Sequence, residues 1–236
     1  MKPGVLLDLG NTLAAYYRPD EFLPILEVAI GDVVDALRSM GVEPVPLDAA
    51  LASAALENRE SKDFRFTPMV ERFERIFRVP LVDDPQLSTR LCEVFLRPIF
   101  SVGRVYDDTL PVLHCLGGSG HPLAIVSNAP WGSPPDMWRA EIGRLGLSSL
   151  VDAVVLCGDV GWRKPAREIF EYSAAALDRA PEQCIFVGDD LRWDIAGGEA
   201  VGMRSILIDR DRRNRHYAGE RVEDLEQLLA MIGPGG

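Results

Sequence analysis

The chain of 236 residues is long enough for one large domain, or for a domain that carries a smaller insert. Hydrophobic residues make up 47% of it and charged residues 26%, which is close to the average of globular proteins and argues against wholesale disorder. The formal net charge is −11, from 25 basic and 36 acidic side chains, so we expect no nucleic-acid partner and no anionic membrane partner.

The sequence carries no strong signal for a membrane segment, a leader or a zinc site. No apolar stretch approaches the ~20 residues that a helix needs to cross a bilayer, and the N-terminal MKPGVLLDLG lacks the pattern of a signal peptide. The cysteines lie far apart and form no CxxC pair, which is typical of a reduced chain. They are Cys92, Cys115, Cys157 and Cys184. We therefore expect a cytoplasmic protein.

Short apolar runs predict the strands. These runs are rich in Val, Ile and Leu and do not alternate with polar residues, which is typical of strands that are buried on both faces. They span residues 4–9, 122–127, 153–157, 184–187 and 204–208. Helical patterns accompany the last four runs and span residues 107–116, 134–145, 165–177 and 191–200. This alternation predicts an α/β fold, with a Rossmann-like parallel sheet between layers of helices.

The long gap between the first two predicted strands has a different pattern. Apolar side chains recur there at helical spacing, and prolines divide the segment into about four helices. We therefore predict an inserted α-helical segment at residues 16–100. The α/β core would then consist of residues 1–15 and 101–236.

The first candidate for a functional residue is Asp8, which ends the first predicted strand within LLDLGNTL. Ligands of open α/β sheets bind at the carboxyl ends of the strands, so Asp8 is placed toward the expected site. Gly10 allows the backbone to turn tightly just after it. An Asp in this position is also common as a turn or capping residue, so Asp8 alone is a weak indication.

Polar residues also follow the second and third predicted strands. Ser127 and Asn128 follow the second, where a hydroxyl and a backbone N–H can hold an anionic oxygen. Lys164 follows the third and can supply a positive charge to a phosphate. It directly precedes Pro165, which we expect to open the next helix. Each of these residues alone could equally belong to a turn or to the solvated surface.

Three acidic residues, Asp189, Asp190 and Asp194, follow the fourth strand. Carboxylates this close together repel one another unless a cation lies among them. Oxygen ligands of this kind suit Mg²⁺, which is a hard ion. Acids also favour the first turn of a helix, so one of the three could serve only as a cap.

The order of these groups resembles that of the haloacid dehalogenase (HAD) superfamily of Mg²⁺-dependent phosphohydrolases. LLDLGNTL resembles the first motif of that family, IVSN the second, the pair Lys164-Pro165 the third and VGDDLRWDIAGG the fourth. The predicted helical insert lies where subclass I members carry their cap. The resemblance extends over the whole chain apart from the last four residues, GPGG.

The resemblance implies a phosphatase that acts on a small phosphate ester by stepwise phosphoryl transfer. Asp8 would be the nucleophile and would form an aspartyl-phosphate, which splits one difficult step into two easier ones. Lys164 would offset the repulsion between this carboxylate and the phosphate. Ser127 and the backbone amide of Asn128 would hold the transferring group.

The resemblance also implies a Mg²⁺ site. Asp8, the carbonyl of Gly10 and Asp189 would hold the ion. Asp190 or Asp194 would contact it through water or support the ligands from behind.

Gly10 departs from the family pattern, because most phosphatases of the family have a second Asp at this position. That Asp protonates the leaving group and later activates water, and such an acid/base contributes ~10²–10⁴-fold. Another group could substitute, the substrate could have a good leaving group, such as an acyl phosphate or an anomeric sugar phosphate, or the protein could be a catalytically silent scaffold. The family's 2-haloacid dehalogenases also lack this Asp, but they do not need the acids after the fourth strand, whose presence favours a phosphatase.

Substrate choice is expected to depend on the insert and on nearby aromatic residues. Tyr16 and Tyr17 follow the first motif closely enough to line a cavity. Three arginines could reach a second anionic group, although we expect solvated helix faces for them. They are Arg59, Arg65 and Arg72. Trp131 and Trp138 could form a hydrophobic wall or a dimer patch, so the sequence is compatible with a monomer or a homodimer.

Overall fold

The computed structural model describes residues 1–18, 20–57 and 62–232. Arg59, one of the three insert arginines considered above, lies outside the described residues. None of the helices in the described ranges has the length and apolar character that a membrane crossing requires.

Eight strands form two sheets within the described residues. In chain order they are β1 Gly4–Leu7, β2 Ala14–Ala15, β3 Arg104–Val105, β4 Leu123–Ser127, β5 Ala153–Leu156, β6 Cys184–Gly188, β7 Arg204–Ile208 and β8 Arg221–Val222. Six of them make a parallel sheet in the order β5-β4-β1-β6-β7-β8, and β2 pairs with β3 in an antiparallel ribbon. The predicted parallel α/β sheet is thus confirmed, and its five predicted strands end within two residues of the observed ones.

Strand β1 lies in the interior of the large sheet, between β4 and β6. Its side chains Val5, Leu6 and Leu7 are fully buried. A parallel strand covered on both faces has no solvent side, which is why these strands are continuous apolar runs in the sequence. The residue that directly follows β1 therefore emerges at the middle of the sheet edge.

Ten α-helices complete the described fold. They are α1 Phe22–Ser39, α2 Leu47–Glu57, α3 Met69–Phe77, α4 Pro85–Val102, α5 Thr109–Gly118, α6 Pro135–Arg144, α7 Cys157–Val160, α8 Arg167–Ala175, α9 Ala196–Ala200 and α10 Leu225–Ile232. Helices α1 to α4 lie between β2 and β3 and form the helical insert. Helix α1 packs on α4, and the buried faces of both helices are apolar.

The structure corrects two of the predicted helices. The segment predicted as one helix at 191–200 is a π-helical turn, Leu191–Ile195, followed by α9. Helix α8 begins at Arg167, so Pro165 precedes the helix and does not open it. The sequence patterns also missed β2, β3, α7, β8 and α10, most of which are too short to show a periodicity.

Candidate active site

Three neighbouring strands bring polar residues to one edge of the sheet. Asp8 directly follows β1, Ser127 is the last residue of β4, and Asp189 directly follows β6. From β1 the chain first adds β4 and β5 on one side, and then adds β6, β7 and β8 on the other side. The strand order therefore switches at β1, directly before Asp8. Such a switch point is where open α/β sheets bind their ligands.

Lys164 connects two of the carboxylates. Its Nζ donates to Oδ1 of Asp8 at 2.5 Å and to Oδ1 of Asp194 at 2.6 Å. The lysine side chain is 3% exposed, so both ion pairs lie in a largely dry environment. Charge-assisted hydrogen bonds of this kind hold the three side chains in a defined arrangement.

Asn128 holds the backbone of Lys164. The N–H of Lys164 donates to Oδ1 of Asn128 at 2.9 Å, and Nδ2 of Asn128 donates to the carbonyl of Lys164 at 3.1 Å. The sequence interpretation considered only the backbone amide of Asn128. It missed this pairing because the two residues lie 36 positions apart and nothing local in the sequence links them.

The acidic residues separate into two groups. One oxygen from each of Asp8, Asp189 and Asp194 lies within 4.8 Å of the others. Oδ1 of Asp190 instead accepts hydrogen bonds from the backbone N–H groups of Arg192 and Trp193, each at 2.8 Å. Asp190 thus caps the π-helical turn, which leaves two acids from this segment grouped with Asp8.

Burial controls the charge state of this cluster. Burial raises the pKa of Asp8 to about 6, opposed by Lys164 and reinforced by Asp194. Burial also raises the pKa of Asp189 to about 8, reinforced by the negative charges of Asp8 and Asp194. For Lys164, burial alone would lower the pKa, but Asp194 and Asp8 outweigh it and the pKa is raised.

The cluster fits a hard divalent cation. Three carboxylates lie together and only two of them pair with an ammonium group, that of Lys164, so the ionised cluster carries an excess of negative charge. Carboxylate oxygens are the preferred ligands of Mg²⁺. A bound cation would favour the ionised forms of Asp8 and Asp189, whose pKa values are raised first by burial and further by the neighbouring carboxylates.

Space is open at Gly10, the position at which the sequence departs from the family pattern. A Cβ atom added there would meet no atom within 4 Å, and the residue lines the same cavity as Asp8. Apart from the adjacent Leu9 and Asn11, no described residue therefore blocks the start of a side chain at this position.

The cluster opens into a cavity of about 730 Å³ between the core and the insert. Tyr16 and Tyr17 line it, as their position in the sequence predicts. Trp131 and Trp138 also line it and are only 8% and 3% exposed. These tryptophans form a wall of the cavity, and the interpretation of them as an exposed dimer patch is wrong.

Glu57 is the one carboxylate that the described part of the insert contributes to this cavity. Its two oxygens accept hydrogen bonds from Nε and Nη2 of Arg75, at 2.8 and 2.9 Å. These bonds lower the pKa of Glu57. The residue is therefore held in its ionised form and is poorly suited to donate a proton.

Of the other two insert arginines considered in the sequence, one is exposed as expected and the other is buried. Arg65 is exposed and lies over the Trp162 ring, 4.3 Å from its centroid. Arg72 is 7% exposed and lines the cavity, so a solvated face is the wrong interpretation for it. Arg163 lines the cavity too, and sequence reasoning overlooked it although it directly precedes Lys164.

Asn11 is a further residue that sequence reasoning missed. A hydrogen bond from its side chain to Asp189 lowers the pKa of that carboxyl, against the larger effect of burial. Its φ of 56° lies in the left-handed region, which Asn tolerates better than most residues. The signal that could have found it is its place directly after Gly10 in the first motif.

Comparison with known proteins supports the relationship that the motifs indicate. The family model of haloacid dehalogenase-like hydrolases matches residues 3–202. Ribulose-1,5-bisphosphate 5-phosphatase of Halopiger xanaduensis is 43% identical over 102 residues, which are 43% of this chain and 41% of that protein. Phosphoserine phosphatase of Thermus thermophilus is 29% identical over 162 residues, or 66% and 63% of the two chains. The chain thus matches less than two thirds of the length of these curated relatives.

A solved structure agrees over the full length. The HAD phosphatase from Thermococcus onnurineus is 27% identical, with a TM-score of 0.69 over 99% of this chain and 98% of that one. The family model covers most of the chain, and the fold places the motif residues at one sheet edge. The protein therefore belongs to the haloacid dehalogenase-like hydrolase family.

Proposed function

We propose that the protein is a Mg²⁺-dependent phosphatase, which hydrolyses a small phosphorylated metabolite through an aspartyl-phosphate on Asp8. The observation that carries this proposal is the buried cluster in which Lys164 bridges Asp8 and Asp194, with Asp189 beside them, at the wall of a large cavity. The relatives named as phosphatases support the same reaction class.

In the first half of the proposed reaction, a carboxylate oxygen of Asp8 attacks the phosphorus atom. The bond between phosphorus and the ester oxygen breaks, and the leaving oxygen takes a proton from solvent. Lys164 fixes the orientation of the Asp8 carboxylate and supplies positive charge next to the incoming phosphate. The hydroxyl of Ser127 and the backbone N–H of Asn128 would bind the transferring phosphoryl group.

In the second half, a water molecule attacks the phosphorus of the aspartyl-phosphate. The acyl phosphate bond breaks, inorganic phosphate leaves, and the Asp8 carboxylate is restored. When bound by Asp8, Asp189 and Asp194, with the carbonyl of Gly10, Mg²⁺ would offset the negative charge that collects between phosphate and carboxylates. Asp190 would support this site from its place at the π-helical turn.

The leaving group is the second part of the proposal. Gly10 offers no acid, and Glu57 is held ionised by Arg75. Both observations support a substrate whose leaving oxygen needs little protonation, such as an acyl phosphate or an anomeric sugar phosphate. A poor leaving group would demand the ~10²–10⁴-fold help that a positioned acid gives.

A phosphate-release screen over phosphomonoesters and acyl phosphates, with and without Mg²⁺, tests the proposal. We expect release that requires Mg²⁺, disappears in Asp8→Asn and persists in Asp178→Asn, a matched change at an exposed residue. The absence of release from every compound by a folded protein that binds Mg²⁺ would contradict the proposal. Halide release from 2-chloropropionate under those conditions would instead identify a dehalogenase.

A further inference from the structure

Two arginines face the same cavity from the two parts of the fold. Arg72 lies on α3 of the insert, and Arg163 directly precedes Lys164 in the core. Both line the cavity of about 730 Å³ that Asp8 also lines. The phosphoryl transfer proposed above uses neither of them, so their presence in this wall needs a separate explanation.

Each of these arginines has an unused hydrogen-bond donor. Arg72 is 7% exposed, and its Nη1 donates to the backbone carbonyl of Glu57. Its Nε is buried without a hydrogen-bond partner among the described residues, and the same is true of Nε in Arg163. A buried donor without a partner costs free energy, so the protein alone does not satisfy the hydrogen-bonding capacity of either guanidinium group.

The positive charges of the pair are also unmatched. Within the described ranges, neither arginine forms an ion pair with a carboxylate, and both oxygens of the nearby Glu57 accept from Arg75. Burial lowers the pKa of Arg72, and the charge of Arg163 lowers it further, so the two guanidinium groups repel each other. Arginine stays protonated at neutral pH in any case. The pair therefore adds two positive charges to the cavity wall that form no direct ion pair among the described residues, although the charges of Glu57 and Glu71 act on Arg72.

Contacts between the insert and the core hold the two arginines in a fixed relation. The N–H of Arg163 donates to the carbonyl of Phe64 at 2.8 Å, and the N–H of Phe66 donates to the carbonyl of Gly161 at 3.0 Å. On the other side, the guanidinium of Arg72 lies 6.0 Å from the centroid of the buried Trp131 ring. An anion placed between the guanidinium groups would thus contact insert and core together.

We propose that the substrate carries a second anionic group, a carboxylate or another phosphate, which binds between Arg72 and Arg163. The inference rests on the proposed function, because it defines the class of phosphate ester that this cavity takes. A guanidinium donates paired N–H groups that match the oxygens of carboxylate and phosphate. A neutral hydroxyl at this place would leave both charges unmatched, so esters without the second anion are poorer substrates.

Matched esters test the proposal. Glucose 1-phosphate is the reference without a second anionic group, glucuronic acid 1-phosphate adds a carboxylate, and glucose 1,6-bisphosphate adds a phosphate. For the bisphosphate, the product that is followed is glucose 6-phosphate. Glycerol 3-phosphate and 3-phosphoglycerate form a second pair with a shorter spacing. We expect the kcat/KM of the wild type to be about 10-fold or more higher for the ester that carries the second anionic group in at least one pair.

Three variants assign this preference to the arginines. Arg72→Gln and Arg163→Gln should each reduce the preference about 10-fold, because each removes one charged donor. Arg72→Lys keeps the positive charge but lacks the planar, paired N–H donors of a guanidinium group, so it should retain part of the preference for the second anionic group. Arg90→Gln on α4, an exposed arginine of the same insert, is the matched control and should keep the preference of the wild type. Arg163 is only half-buried, so its variant remains informative if Arg72→Gln fails to fold.

Two results would overturn the proposal. One is a wild type that shows no preference in either pair. The other is a pair of arginine variants that reduce the turnover of esters with and without the second anionic group equally, which would assign the arginines to the transferred phosphate itself.

A binding measurement separates this proposal from the phosphatase proposal. The shift in melting temperature caused by glucuronic acid 1-phosphate, relative to glucose 1-phosphate, is recorded for the wild type and each variant. A larger shift that depends on the arginines, in a protein without turnover, would support the anion site and contradict the phosphatase. Turnover without any difference in melting-temperature shift between the two esters would support the phosphatase and contradict the anion site.

Discussion

The side chain of Asn128 hydrogen-bonds to both backbone polar groups of Lys164, the N–H and the carbonyl. This pairing connects the end of β4 to the loop that follows α7, and so fixes the lysine whose Nζ bridges Asp8 and Asp194. The position of the Lys164 ammonium group therefore depends on the neutral side-chain amide of Asn128, which need not touch the substrate.

Asn128→Ala should uncouple these two loops. We expect kcat to fall by up to roughly 100-fold, since a small misplacement of a catalytic group has that effect. The free energy of unfolding should fall by about 1–3 kcal/mol, because buried backbone groups lose their partners. Steady-state kinetics and urea denaturation measure the two effects, with Asn214→Ala as the control. An Asn128→Ala protein with the kcat of the wild type would show that Lys164 is held by other contacts.

Gly10→Asp should add an acid to the site at little structural cost, because the space at Gly10 is open. We expect kcat/KM for phosphates with poor leaving groups to rise, by as much as the ~10²–10⁴-fold of a positioned acid. Rates over a series of aryl and alkyl phosphates measure this effect as a weaker dependence on the pKa of the leaving group. Gly10→Asn has the same size without the acid, and equal rates in the two variants would contradict the explanation.

The raised pKa values predict how pH affects the metal-free protein. Asp8 and Asp189 have folded-state values of about 6 and about 8, against 3.8 for an unperturbed Asp. The folded state therefore binds more protons than the unfolded chain in this range, and these groups make stability fall as pH rises from 3.8 through about 8. Melting temperatures in EDTA should show this fall, and Asp189→Asn should make it smaller.

Mg²⁺ should reverse the trend, because it binds the deprotonated carboxylates. The increase in melting temperature caused by Mg²⁺ should therefore be larger above pH 8 than below pH 6. An increase that does not depend on pH would indicate that the ion binds elsewhere.

Gly132→Ala should loosen the contact between insert and core. Gly132 has a φ of 71°, and an added Cβ would collide with the backbone carbonyl oxygen of Thr67, just before α3. We expect a loss of about 1–3 kcal/mol in the free energy of unfolding. Gly146→Ala is the matched control, because its φ of 77° is similar while its surroundings are open. Equal losses in the two variants would show that the collision with Thr67 contributes nothing.

The sequence predicts the sheet well because the burial of each strand on both faces shows directly in the residues of that strand. A parallel strand covered on both faces must be apolar throughout, and ligand-binding residues follow such strands directly, as Asp8 and Asp189 do. Two-residue strands such as β2 and β3 have no room for a pattern, so they were missed.

Relations between distant segments are also hidden in the sequence. Arg72 lies on a charged helix that looks solvated, and its burial depends on how α3 meets Trp131 and the core. Asn128 and Lys164 pair across 36 residues. Arg72 and Arg163 likewise line one cavity only because the insert folds back onto the loop of Arg163.

The short ribbon of β2 and β3 affects how the sequence of such a chain can change in evolution. Ala14 pairs with Val105 and Ala15 with Arg104, so the chain leaves the core and returns to it at adjacent points. The large sheet is hydrogen-bonded without any residue of the intervening helices. Residues can therefore be gained or lost between β2 and β3 without shifting the register of the large sheet. The residues at the sheet edge can then stay unchanged in evolution while the sequence of the helical insert diverges.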